Sequence, residues 1–172
     1  LSLEGHELLA GDAVLDVEVT SNRPDCMNHL GLAREIAVKR GTPLRPPVFS
    51  FAENLSPNGP RASVKLEDPE GCPRFTLRII RGVKIGPSPQ WLVRRLEAIG
   101  SRSINNVVDV TNFCLWESGQ PLHAYDLATV PGGELHVRRA GAGEKLVTLD
   151  GKERELDPEV LVLLRPEQRR AV

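Results

Sequence analysis

The sequence predicts an α+β fold, a mixed or antiparallel sheet with a few packed helices, and three observations lead there. Stretches of helical period and of period two are interspersed without the strand-helix-strand rhythm of a parallel sheet. Asp150-Gly151 stands between two short β-rich runs, the strongest short-range hairpin signal that a sequence carries. No internal repeat organises the 172 residues.

Residues 1–12, punctuated by Gly5 and Gly11, read as a connector with at most one short turn. Val14-Leu15-Asp16-Val17-Glu18-Val19 alternates apolar and acidic side chains, the mark of a strand with one buried face. Thr20-Ser21-Asn22-Arg23-Pro24-Asp25 gathers turn and cap formers and ends it. A helix is predicted over 28–40: Leu30, Ala33, Ile36 and Ala37 form its apolar side, Lys39 and Arg40 occupy its last turn, and Gly41 stops it. Residues 42–60 hold five of the fourteen prolines and read as a linker. The predicted organisation is a connecting strand, helix and Pro-rich linker over 1–60, followed by one compact module over 61–172.

Strands are predicted over 62–67 and 75–85, separated by turn chemistry at Asp68-Pro69-Glu70-Gly71-Cys72-Pro73, with Gly82 marking a bulge. Ser88-Pro89 supplies an N-cap and a first-turn proline, and Trp91, Leu92, Leu96 and Ile99 the apolar stripe of a helix that Gly100 ends. Next, Val107, Val110, Thr111 and Cys114 keep helical spacing, whereas the β-branched run Val107, Val108, Val110 argues for a strand, so periodicity alone leaves both open. In the helical case Gly119 closes the element after Ser118, and Gln120-Pro121 forces an extended turn that delivers His123 to the pocket the helix borders. After Leu127 the pattern is β: 134–139 alternates around Leu135 and Val137, 145–149 and 152–156 flank Asp150-Gly151, and 161–164 suits an interior strand.

With only four Phe, two Trp and one Tyr, the core must rest on Val, Leu, Ile and Ala. A formal net charge of −1 gives no nucleic-acid footprint, so any RNA contact rests on local patches or a neighbouring domain. Cys26, Cys72 and Cys114 are odd in number and form no CxxC pair, which indicates neither a disulfide framework nor a zinc site. No apolar run approaches the roughly 18 residues of a membrane span, and no signal peptide opens the chain. A reduced cytoplasmic protein is expected. Leu1 in place of Met and the stop at Ala171-Val172 read as the cut ends of a longer polypeptide.

Residues 103–127 gather three asparagines, a glutamine and a histidine among apolar side chains, and such amides are costly to bury unless each finds hydrogen-bond partners. That concentration marks the candidate site. His123 is the histidine singled out, because an imidazole close to Asn112 and after Gln-Pro can donate a hydrogen bond, orient a water or transfer a proton near neutral pH. His6, His29 and His136 read as surface or cap residues, the cysteines as small buried hydrophobes, and Asp109 and Glu117 as residues pairing on the helix surface. Arg94-Arg95, Arg138-Arg139 and Arg169-Arg170 read as solvated faces. There is no GxSxG, HExxH or Walker motif, and the glycines of Ala140-Gly141-Ala142-Gly143 do not stand between a strand and a helix.

Three segments together carry a resemblance: Asp16-Val17-Glu18-Val19-Thr20-Ser21-Asn22-Arg23-Pro24-Asp25-Cys26, residues 102–126 with INNVVDVTN and QPLHAYDL, and Lys145-Leu146-Val147-Thr148-Leu149-Asp150-Gly151. In order and spacing they closely resemble the beta subunits of bacterial phenylalanyl-tRNA synthetases, over nearly the whole chain. The resemblance implies the central editing module of that subunit, which hydrolyses tyrosine wrongly esterified to the phenylalanine tRNA. It implies catalytic roles for His123 and Asn112, a substrate-lining turn at Gln120 and Pro121, and no metal. It implies no cofactor in this region, with ATP and magnesium belonging to the whole synthetase, whose partners are tRNA(Phe) and an alpha subunit in a heterotetramer. A glycine-rich segment with an acidic residue that recognises the tyrosine hydroxyl is expected beyond residue 172, as is the closing strand of the domain. A non-catalytic tRNA-binding or subunit-bridging module is the alternative, and a stand-alone deacylase a third reading.

Overall fold

The computed structural model describes residues 1–9, 11–52, 59, 61–148 and 150–164. They fall in two compact units, one from residues 1–51 and 84–124, the other from 52–83 and 125–164. With three α-helices and sheets of mixed and antiparallel strands among the described residues, the fold is α+β as the sequence predicts.

The first unit opens with an antiparallel hairpin of β1 (Ser2–Leu9) and β2 (Asp12–Glu18). The strand predicted around 14–19 is there, but the stretch read as a connector is its partner. Its irregular alternation hid it, and a bulge between Leu3 and Gly5 shows why: the register slips there, so no single period runs through β1. After a 3-10 turn at Pro24–Cys26, α1 covers His29–Arg40. The Asn28 side chain accepts from the Gly31 N–H at 2.9 Å at one end, and Gly41 takes a left-handed conformation at the other. Of the predicted apolar side, Leu30, Ala33 and Ala37 are half-buried and Ile36 is exposed, while the fully buried residue of α1 is Gly31.

Helix α2 covers Gln90–Ala98 and buries Leu92 and Leu96. Pro89, not Ser88, is its N-cap, and Trp91 is 56% exposed instead of joining the stripe. Helix α3 covers Asn106–Ser118, so helical spacing prevails over the β-branched run. Residues 75–85, predicted as a strand, carry no regular secondary structure, and Gly82, with φ +70°, marks no bulge. Alternation supplies a face, but a strand also needs a neighbouring backbone to satisfy its N–H and C=O groups, and among the described residues this run has none.

In the second unit, β3 (Ser63–Leu66) pairs parallel with β4 (Glu134–Arg139), and β7 (Leu161–Leu164) pairs antiparallel with the other side of β4. Leu135 and Val137 are the buried, alternating residues of β4, and Ala140, Val162 and Leu164 form a buried cluster against which Leu146 and Leu156 pack. The predicted interior strand is therefore β4, not 161–164, which ends the order β3-β4-β7 among the described residues. The predicted hairpin forms from β5 (Lys145–Val147) and β6 (Glu153–Glu155) around Asp150-Gly151, where Thr148 accepts from the Gly151 N–H at 2.8 Å. Arg138 and Arg139 are not merely solvated. Arg138 holds Glu144 through two bonds of 2.7 and 2.8 Å, and Arg139 pairs with Asp68. Arg169-Arg170 lies outside the described residues.

Candidate functional site

Helix α3 is held chiefly by polar groups. Among its residues only Asp109 is buried; Val107, Val108, Phe113 and Cys114 are half-buried, and Val110, Leu115 and Trp116 are exposed. Each amide and carboxylate of the first two turns has a separate task. Asn105 is the N-cap, its Oδ1 accepting from the Val107 and Val108 N–H groups at 3.0 Å each. Asn106 grips the incoming chain: its backbone N–H donates to Gly86 O at 2.9 Å, its Nδ2 to Lys84 O at 2.9 Å, and its Oδ1 accepts from the Gly86 N–H at 3.2 Å.

Asp109 is 0% exposed and does not lie on the helix surface as the sequence led us to expect. Its Oδ2 accepts from the hydroxyls of buried Ser88 at 2.5 Å and Ser103 at 2.6 Å, and its Oδ1 from the Ile104 N–H at 2.8 Å. Burial alone pushes its pKa up, but the hydrogen bonds of Ser103, Ser88 and the backbone outweigh that and hold it below the ordinary carboxylate range. The signal that sequence reasoning passed over was an aspartate four residues after an N-cap asparagine, within a largely apolar run and with serines upstream of it.

Of the three asparagines, Asn112 alone is left without a task. It is half-buried, and among the described residues its amide forms no hydrogen bond. Around it, Phe113 meets Trp91 edge-to-face with ring centroids 5.5 Å apart, and the Trp116 carbonyl accepts from His29 Nδ1 at 2.8 Å, which makes Nδ1 the protonated nitrogen of that ring.

The helix ends at Gly119, whose φ of +78° suits glycine and whose N–H donates to Leu115 O at 2.8 Å. Gln120, Pro121 and His123 follow on a segment without regular secondary structure, and all three are exposed. The Gln120 amide donates only locally, to Pro121 O at 3.3 Å. Thus three of the four predicted site residues share one exposed segment, and the fourth sits half-buried on the helix before it, in the same compact unit.

Two other places were candidates for chemistry. A shallow open groove of about 410 Å³, lined by Arg34, Ala37, Val38, Gly41, Thr42 and Leu44, offers neither carboxylate nor imidazole. Asp25, Cys26 and Glu35 place three potential metal-ligand atoms within 4.8 Å of one another, but the Arg23 guanidinium already fills that space. It reaches Asp25 at 2.8 Å, Glu35 at 2.7 Å and Cys26 Sγ at 3.0 Å. Cys26 is buried, whereas Cys72 and Cys114 are only half-buried, and all three thiols are free.

The arginine holds Asp25 down to a pKa of about 2 from an ordinary 3.8. A depressed folded-state pKa stabilises above the unfolded value and stops doing so as pH falls through the folded one. Stability is therefore expected to drop between pH 3.8 and about 2 on this account. NMR titration should find the Asp25 carboxyl near 2 and, in Arg23→Gln, back toward 3.8; an unmoved titration in the variant would show that Arg23 is not the cause.

The B3/4 domain family matches residues 71–171. Over 145 residues the chain is 54% identical to the "Phenylalanine--tRNA ligase beta subunit" of Geobacter metallireducens, covering 84% of this chain and 18% of that protein. The corresponding subunit of Anaeromyxobacter dehalogenans is 49% identical over 92% of this chain and 20% of its own length. That of Rhodopirellula baltica is 47% identical over 95% and 24%. The chain spans about a fifth of the length of the curated relatives it matches.

Proposed function

This chain belongs to the B3/4 domain family, in the form found in phenylalanine-tRNA ligase beta subunits, and from that premise we propose that it is the part of such a subunit that hydrolyses mischarged tyrosyl-tRNA(Phe). The observation that carries the reading is the unpaired amide of Asn112. It stands one turn after Asp109 and two turns after Asn105 and Asn106, each of which has a hydrogen-bonding task. A half-buried amide without an internal partner is a group held ready for an external one.

The need for such a site follows from the limits of binding. A synthetic pocket that accepts an apolar ring cannot strongly reject the same ring carrying an added hydroxyl, so a second site must remove the error. In the proposed reaction a water oxygen bonds to the ester carbonyl carbon, the bond from that carbon to the ribose oxygen breaks, and the water proton passes to the ribose oxygen. His123 orients the water and relays that proton, Asn112 donates to the ester end, and Gln120 and Pro121 line the amino-acid slot. Rate then comes from positioning and hydrogen bonding, without a nucleophilic side chain. The tRNA and an alpha subunit are the proposed partners, and ATP and magnesium serve the aminoacylation site of the whole enzyme. Among the described residues no helix is long and apolar enough to cross a membrane.

In the complete ligase, His123→Ala and Asn112→Ala are each expected to slow deacylation of tyrosyl-tRNA about ten- to a hundredfold, with phenylalanine charging unchanged. Unchanged clearing, or clearing and charging falling together, would favour a module that only holds tRNA or bridges subunits.

A further inference from the structure

We infer that Asp109 is a positioning residue for Asn112, setting the rotation of α3 so that the unpaired amide faces the ester; the inference rests on the function proposed above. A helix usually takes its rotation from a buried apolar stripe, and α3 has none: its one buried side chain is a carboxylate. Three donors from outside the helix converge on that carboxylate, the Ser88 and Ser103 hydroxyls and the Ile104 N–H. Such bonds are directional, so they fix the angle of the helix about its axis as well as its distance from its neighbours.

Asn106, Asp109 and Asn112 stand three residues apart, neighbours along one side of the helix. The first two bind segments 84–86 and 88–104, and the third is the amide left unpaired. Rotation of α3 by even a fraction of a turn would carry that amide away from a substrate held elsewhere in the site. An error of about 1 Å at a reacting group is enough to lose one to two orders of magnitude in rate.

The test is a double-mutant cycle in the complete ligase. Asp109→Asn keeps the size of the side chain and an acceptor for the Ile104 N–H, but removes the charge and one acceptor of the two hydroxyls. It is expected to lower kcat for tyrosyl-tRNA deacylation about tenfold, with KM and phenylalanine charging within about twofold of wild type. In an Asn112→Ala background the same change should cost less than about twofold, because the group being positioned is gone. Ser88→Ala combined with Ser103→Ala is the second variant, should Asp109→Asn fold poorly, and the same loss and the same non-additivity are expected. A wild-type rate in both Asp109→Asn and the serine pair, or a full tenfold loss that persists in the Asn112→Ala background, overturns the positioning role while leaving the editing reading intact. A wild-type rate in Asn112→Ala overturns the assignment of Asn112 and the positioning role with it.

Discussion

Replacing Asp109 with alanine is expected to loosen α3 by about 3–5 kcal/mol, far more than the asparagine substitution. Alanine removes the acceptor for two hydroxyls and one N–H at once, and Ser88 is buried too deeply for water to replace it. An orphaned buried donor costs about 1–3 kcal/mol, bonds to a charged acceptor are worth about 1.5–3 each, and the missing carboxylate leaves a void. Hydrogen exchange on the whole chain is the measurement, since α3 amides report local opening. Their protection should fall at least about a hundredfold, the equivalent of nearly 3 kcal/mol. Unchanged protection would mean that the half-buried apolar contacts of α3 suffice to hold it.

Gly31→Ala is expected to destabilise the first unit by about 2–4 kcal/mol, against the usual trend. In most helices alanine gains about 1 kcal/mol over glycine. Here the added Cβ would lie 1.8 Å from the Asp25 carbonyl oxygen, 2.8 Å from its carbon and 3.0 Å from Cys26 Cα. All three are backbone atoms of the turn that Arg23 ties together, so no side-chain rotation relieves the clash. Thermal unfolding should show the loss, and the Asp25 carboxyl should titrate higher as the Arg23 contacts are strained. A variant as stable as wild type would show that the 23–26 turn yields freely.

These two residues mark where sequence reasoning reached its limit. Gly31 falls in a helix whose ends were legible, yet the residue with no side chain is the one that packs closest. By sequence Asp109 looks like a surface charge, because period and composition describe a side chain's preference for water, not whether three donors await it. Asn105, Asn106 and Asn112 looked alike as a cluster of amides. The first is a cap and the second a latch, and only the third resembles a group awaiting a ligand. The family, by contrast, was legible in the motifs and agrees with the B3/4 match.

What the sequence determined by itself was set within four or five residues of chain: the helix that ends at Gly41, the stop at Gly119, the Asp150-Gly151 turn, and the alternation of Leu135 and Val137. Each depends on bonds or periods that close locally, so neighbouring residues are enough to specify it. Tertiary structure decided the rest: the partner that makes 2–9 a strand, the absence of one for 75–85 among the described residues, and the burial of Asp109 beneath a serine 21 positions earlier. A ladder or a buried carboxylate is stable only when distant groups arrive to satisfy it, and no local pattern records which of them will.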